Sequence, residues 1–494
     1  MSDIHSIYNQ TILVQTTYQP APHLETELEI MVQLLAQGNT IYWMICNGDF
    51  KVCFHNPKHD KKTCLSCHCR VKNGYESLKK NVENYKNLHL LDYKSFLKID
   101  DFNFNNNLIF SSIKDLKSYY YKSYDLGLSI SSSLVSFTRD HEPDLKLHDS
   151  FIKNGLYTGA FLYDTFQLVL QQIKPDLVIL FNGRFIENRP LLRVCQENKV
   201  AYATHERGGK LNSYLFRFNS IPHSLATISN EIESLWANAK DDKTQIGKIF
   251  YENRIKRVEE AWYSFTKEQQ EGRLPESFKE NENKKIITIF NSSLDEYEGL
   301  EGFGPYFYNN DNEGIREICK SLMNFENIKL YLRVHPNLKG LENTQNRELE
   351  KINQEFNNLE IIAAADSVDT YALINRSDLI IVFGSTVGVE AAFAGKNVVL
   401  LGQAAYQGLK CFVIPKNHED LISILSDNNF VFPKINHEDT LKYGYWNEKF
   451  GIEYKYYDPI NLADGLFFGK KIKLSWFQNK VNRYIVKISK LISI

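Results

Sequence analysis

In the small-residue segment that joins two apolar runs of SDLIIVFGSTVGVEAAFAGKNVVLLG, residues 377–402, the one carboxylate is Glu390. The pattern predicts a strand at 379–383, a helix at 386–394 and a second strand at 397–401. Gly384 lets backbone approach a ligand, while Ser385 and Thr386 can cap the helix or hydrogen-bond a phosphate at its positive end. Glu390 lies four residues beyond Thr386, on the same helical face and roughly 5 Å away by one pitch. A carboxylate there accepts hydrogen bonds from paired sugar hydroxyls, so phosphate and ribose together would make half of a nucleotide pocket. The competing reading is a plain N-cap and a solvated Glu390.

A second cluster points to the same chemistry. Strand alternation in IKLYLRVHPN places Ile328, Leu330, Leu332 and Val334 on one face, and Lys329, Tyr331, Arg333 and His335 on the other. Arg333 and His335 are thus expected to emerge together at a carboxyl edge, where a guanidinium and an imidazole suit a diphosphate. The loop FNSSLDE offers Asn291, Ser292 and Ser293 as further donors, a weaker signal because Ser-rich turns are common.

A carboxylate at a crevice edge can act as a general base toward a substrate hydroxyl. Glu206, before Gly208 and Gly209, is the leading candidate and is expected on a flexible turn; Asp49 in CNGDF is second. Asn182 and Arg184, after the strand DLVILF, would hold acceptor groups, with an Arg184–Glu187 ion pair as the alternative for Arg184. Cys46, Cys53, Cys64 and Cys67 contain a C-x-x-C spacing with loop-like flanks. Four thiolates fit a tetrahedral structural zinc, with Cys69, His55, His59 and His68 nearby as further ligands the set can draw on; free thiols are the other reading, and neither performs the chemistry. No cofactor is expected for catalysis.

These residues need a scaffold of parallel strands. TILVQT, a helical stretch closed by Gly38, and TIYWMIC open the chain as β-α-β, and alternation resumes at 174–206 and again from 286 to 401. The expected organisation is an N-terminal Rossmann-like lobe over 1–264 with a Cys-rich insertion at 46–69, and a polar linker at 265–285. A nucleotide-binding Rossmann-like lobe over 286–445 and a basic, amphipathic helical tail over 446–494 complete it. From residue 469 the tail has seven Lys or Arg and no acid, and suits either an anionic inner leaflet or packing through Trp476, Phe477, Tyr484 and Ile485.

Composition narrows the classes. Hydrophobic residues are 43% of 494 and aromatics 13%, enough for large cores, and 58 Lys plus Arg against 60 Asp plus Glu gives no uniformly basic nucleic-acid surface. No secretory leader or membrane-spanning run is read, so a cytoplasmic protein, peripheral at the inner face of the membrane, is expected.

RVHPN at 333–337 and the 377–402 segment, with FNGR at 181–184 and HERGG at 205–209, resemble the GT-B glycosyltransferases of bacterial capsule polysaccharide biosynthesis. The resemblance covers the second lobe well and the first patchily. It implies an α/β, GT-B-like fold of two Rossmann-like doubly wound lobes facing a central cleft, with a nucleotide-sugar donor on the C-terminal lobe and a capsule or lipopolysaccharide glycan, or lipid-linked, acceptor on the other. It also implies Glu390 on the donor ribose, Ser385 and Thr386 on the diphosphate, and Arg333 with His335 on the phosphate or leaving group. Related glycerophosphotransferases typically carry Asp-Tyr-Ser-Ser where this chain has Phe-Gly-Ser-Thr, which makes polyol-phosphate transfer the runner-up. A sugar-nucleotide epimerase and a catalytically degenerate scaffold of a capsule assembly complex are further alternatives.

Overall fold

The structure is a computed structural model that describes residues 4–17, 20–98, 102–105, 107–258, 266–297, 299–300 and 302–473. The described residues form two compact units. Unit 1 takes the chain up to Thr138, then Glu142–Pro222 and the chain from Gly451; unit 2 takes Arg139–His141 and His223–Phe450.

Unit 1 contains β1 (Thr11–Thr16), α1 (His23–Ala36), β2 (Thr40–Ile45), α2 (Lys61–Asn81), β3 (Leu88–Asp92), α3 (Ile113–Lys117) and α4 (Leu126–Thr138). It continues through α5 (Asp149–Ile173), β4 (Leu177–Phe181), α6 (Arg189–Glu197), β5 (Tyr202–Arg207) and β6 (Ser213–Phe218). Unit 2 contains α7 (Leu225–Ala237), α8 (Lys243–Ile255), β7 (Lys285–Phe290), α9 (Leu294–Tyr297), α10 (Asp311–Leu322), β8 (Ile328–Arg333) and α11 (Thr344–Glu355). Then follow β9 (Leu359–Ile362), α12 (Thr370–Arg376), β10 (Leu379–Val382), α13 (Val387–Phe393), β11 (Asn397–Leu400), α14 (His418–Ser426) and α15 (His437–Lys449). The chain returns to unit 1 with β12 (Ile452–Glu453), β13 (Tyr457–Asn461) and β14 (Asp464–Phe467).

Both sheets have Rossmann-like order. Unit 1 runs β12-β6-β5-β4-β1-β2-β3, parallel from β5 to β3 with β6 and β12 antiparallel at one edge. Unit 2 runs β11-β10-β7-β8-β9, parallel throughout. Parallel sheets of this kind are covered on both faces, and the strands show it by feeding alternate side chains to two cores. Ile287, Ile289, Leu330 and Leu332 pack with α10, α11 and α14; Ile286, Phe290, Tyr331 and Val382 pack with α12 and α13. In unit 1, Leu13 joins the core of α5, while Ile12 and Val14 join that of α1.

The boundaries differ from those the composition suggests. The main segment of unit 2 starts at His223, ahead of the expected 286, because α8 lies against α15 so closely that a Cβ on Gly444 would fall 2.2 Å from the Gly247 carbonyl oxygen. The described part of 265–285 is packed onto unit 2 and is not a free linker: Phe278 is buried and stacks on Tyr331, and Gln269 accepts from the Thr370 N–H at 2.9 Å. Residues 451–473 form strands where a helical tail was expected. Buried Glu29 on α1 accepts backbone N–H groups of Lys455, Tyr456 and Tyr457, which fixes that return segment to unit 1. The tail from 474, with Trp476, Phe477, Tyr484 and Ile485, lies outside the described residues.

Gly444→Ala is expected to lower the stability of unit 2 by about 1–3 kcal/mol, the range for overpacking. Chemical denaturation checks this, and an unchanged midpoint would contradict so close a helix contact.

Candidate functional site

In a doubly wound sheet the crevice opens beyond the carboxyl ends of adjacent strands whose crossovers run to opposite faces. In unit 2 that point lies between β7 and β10. Phe290 is level with both Arg333 of β8 and Val382 of β10, so the loops beginning at Asn291, Val334 and Phe383 start at one height. These loops are tied in series: the His335 N–H donates to Asn291 Oδ1 at 2.9 Å, and Ser292 Oγ donates to the Phe383 carbonyl at 3.1 Å. The β7 loop is anchored beneath by Asp311, which accepts from the Ser292 N–H at 2.7 Å and the Tyr297 hydroxyl at 2.9 Å. Burial pushes Asp311 up to about 6.

Gly384 has φ +109°, and a Cβ there would meet the Gln403 carbonyl oxygen at 2.8 Å. Only glycine makes this turn at low cost. Ser385 Oγ accepts from the Val387 N–H at 3.3 Å, while Thr386, at the N-cap, makes no side-chain capping bond. Both are half-buried at the rim.

Glu390 is not on a solvated face. Its side chain is 5% exposed; Oε2 accepts from the Tyr371 hydroxyl at 2.7 Å, and Oε1 lies 3.3 Å from an Arg254 guanidinium nitrogen. An ionised carboxylate has about four acceptor positions, so these two donors leave it capacity for two more. Neither Tyr371 nor Arg254 was singled out from the sequence, because α12 and α8 are brought to α13 only by the fold.

The arginine expectation is corrected. Arg333 is buried and donates to the carbonyls of Ala363 and Asp366 at 2.7 and 3.0 Å, so it braces the loop between β9 and α12 and does not emerge beside His335. Its place on β8 puts the guanidinium on the same face as Tyr331, where two carbonyls take its terminal nitrogens and Nε is left without a partner. The half-exposed cation at this edge is Arg139, which pairs with Asp295 and reaches the Asn337 carbonyl. Ser293 is likewise buried and donates to Asp295 at 2.6 Å, which makes it a loop brace and not a donor ligand. His335 accepts from the Asn337 N–H through Nδ1, which assigns its proton to Nε2; burial pushes it down to about 4, so it is a neutral hydrogen-bond donor at pH 7 and not a cation.

Unit 1 has its own switch point between β1 and β4. Asn182, at φ +54°, donates to Glu206 Oε2 at 2.8 Å, so the expected acceptor and base residues do meet. Glu206 sits inside β5 and not on a flexible turn, because β6 pairs with it opposite Leu215. His23 Nδ1 is 3.7 Å from Glu206 Oε1, and burial together with Arg207 and His205 holds His23 well below its ordinary value. Beneath lies a chain of polar groups that sequence reading missed: Trp43 donates to Thr16, Thr16 to Glu27, and Glu27 meets His205 at 3.1 Å. The signal was present in HLETELEIMVQLL, where acids at every second position cannot all share one solvent face of a helix.

Asp49 is paired with Lys94 at 2.5 Å, which makes it an ion-pair partner and removes it as a base. Arg184 donates to Ser136 Oγ at 3.2 Å and lies over the Phe185 ring; Glu187 is fully buried and accepts from the Phe54 N–H at 3.2 Å. Among the described residues no three His, Cys, Asp or Glu are grouped to hold a metal ion. Asp60 caps α2 ahead of Cys64 and Cys67, so their spacing spans a helical turn where a loop knuckle was expected, and Asn56 donates to Cys64 at 3.2 Å. Burial pushes Cys46 and Cys67 up to about 12.

Residues 302–409 match the model of a family described as capsule polysaccharide biosynthesis protein. The match agrees with the resemblance carried by 333–337 and 377–402, and it contains β8 through β11 with Ser385, Thr386 and Glu390. The comparison with curated proteins finds no match. Among solved structures, the chain is similar to Thermosulfurimonas dismutans KpsC, beta Kdo 2,4 transferase, at 14% identity over 63% of this chain and 87% of that one, TM-score 0.35. It is similar to the beta Kdo 2,7 transferase of the same KpsC at 15% identity, over 66% and 90%, TM-score 0.33. It is also similar to UDP-GlcNAc 2-epimerase from Neisseria meningitidis bound to UDP-GlcNAc at 11% identity, over 89% and 97%, TM-score 0.24. Among the described residues no helix is long and apolar enough to cross a membrane.

Glu187 supplies a pH test of this geometry. Burial pushes its carboxyl up to about 7, so between about 4.5 and 7 the folded chain holds a proton that the unfolded chain releases. Stability is therefore full below that window and falls by about 3 kcal/mol as pH rises through it. Glu187→Gln, which mimics the protonated acid, is expected to gain on the parent across this window in denaturation at pH 5, 6, 7 and 8; parallel curves would contradict the burial.

Proposed function

We propose that this chain is a glycosyltransferase that moves a sugar from a nucleotide-sugar donor to a capsule or lipopolysaccharide glycan acceptor, at the cytoplasmic side of the membrane. The observation that carries the proposal is Glu390: a desolvated carboxylate, braced on both oxygens, one helical turn behind the Gly384–Thr386 loop at the unit 2 switch point. Its remaining acceptor capacity suits the ribose hydroxyls. Ser385 and Thr386 supply hydroxyl donors for the diphosphate, Ser292 being committed to Phe383 and Asp311, and Gly384 lets it approach.

In the transfer, the acceptor oxygen bonds to the sugar's anomeric carbon while the bond from that carbon to the diphosphate oxygen breaks, its electron pair leaving with the nucleotide. Charge grows on the leaving phosphate, where the Nε2–H of His335 donates. Glu206 takes the acceptor proton, held by the Asn182 amide.

Calorimetry with a panel of nucleotides is expected to find binding that Glu390→Ala weakens by about 1.5–3 kcal/mol, the range for hydrogen bonds to a charged group. Equal affinity in the folded variant would overturn the site. Glu206→Gln is expected to keep donor affinity and lower the transfer rate by about 100-fold or more, followed by mass spectrometry of donor, acceptor lipid fraction and product. Isomerisation of the sugar without acceptor would instead identify an epimerase, and a CDP-glycerol preference a polyol-phosphate transferase.

A further inference from the structure

Three sequence-remote elements converge on one carboxylate. Glu390 stands on α13, Tyr371 in the first turn of α12 and Arg254 near the end of α8. Tyr371 bonds one oxygen at 2.7 Å, and Arg254, whose guanidinium also lies over the Phe250 ring at 4.7 Å, holds the other at 3.3 Å. The Tyr371 end is itself pinned. Asp369 caps α12 through the Tyr371 N–H at 3.0 Å, accepts from the Gly272 N–H at 2.8 Å and pairs with Arg257 at 3.4 Å.

An ion pair with only its carboxylate buried is weak evidence for stability, since the Arg254 side chain is 42% exposed. This arrangement does something an apolar patch cannot, because it fixes the rotation of a carboxylate. Donors from two directions hold the carboxylate plane, and the acceptor positions left over then have a set orientation. A loose carboxylate takes whichever single hydroxyl arrives, whereas a fixed one rewards two vicinal hydroxyls and leaves a desolvated acceptor unmet when one is missing.

We propose that Tyr371 and Arg254 are positioning residues that lock Glu390 in the orientation accepting a vicinal diol, so that the site selects a ribonucleotide over its 2′-deoxy counterpart. This rests on the nucleotide-sugar reading above and adds a discrimination to it. Tyr371→Phe removes one hydroxyl and keeps the ring; Arg254→Met keeps the apolar stem and removes the charge.

The test is calorimetry on the full chain with UDP, CDP, GDP and ADP and their 2′-deoxy forms, with thermal melting of each variant alongside. The parent is expected to favour the ribo form of its tightest ligand by about 10-fold or more. In Tyr371→Phe that ratio is expected to fall to about 2-fold or less at a nearly unchanged melting temperature, with Arg254→Met moving it in the same direction. A purely structural role would alter melting or both affinities together and leave the ratio alone. Binding with no ribo preference in the parent, or a preserved ratio in Tyr371→Phe, overturns the proposal and spares the nucleotide reading. No binding of any nucleotide overturns both.

Discussion

Two neighbouring parallel strands whose crossovers leave toward opposite faces cannot have their following loops packed against each other along the whole edge. In unit 2 these strands are β7 and β10, and everything assigned to the site depends on that separation. The crossover from β7 leads to α10 in one core, and that from β10 leads to α13 in the other. Equal register at Phe290, Arg333 and Val382 then brings three loop starts to one level. Hydrogen bonds from His335 to Asn291 and from Ser292 to Phe383 make those loops a single connected rim.

Within that rim, charge is handled by pairing. Arg333 is spent on two carbonyls, Arg139 on Asp295 and Asn337, and Ser293 on Asp295. Ser385, Thr386 and the neutral His335 are half-buried at this rim. Recognition of an anion here would come from oriented neutral donors more than from free cations, which limits the desolvation cost on the protein side. Glu390 follows the same rule: its carboxylate is kept in a covered position and held by Tyr371 and Arg254.

Most of the architecture was legible because apolar runs and helical spacing are local signals. β1, β2, β4, β7, β8, β10 and β11 fall where alternation or continuous apolar runs put them, and the turn at Gly384 was readable from residue type. Glu390, Ser385 and Thr386 were legible for the same reason, lying on one short strand-turn-helix unit. What failed was non-local. The partners of Arg333 are set by the loop after β9, and the inclusion of α8 in unit 2 by a glycine contact with α15. Tyr371 and Arg254 stand 19 and 136 positions from Glu390, and only tertiary packing brings them together. For the cysteines, spacing alone was misleading, because the Asp60 cap turned an expected loop into a helix.

Hydrogen–deuterium exchange with and without a saturating mixture of ribonucleoside diphosphates tests the central claim most directly, since it locates a ligand without prior choice of residue. The account predicts new protection in unit 2 peptides spanning 288–297 and 383–392. Protection confined to unit 1, or to unit 2 peptides away from β7 and β10, would contradict it.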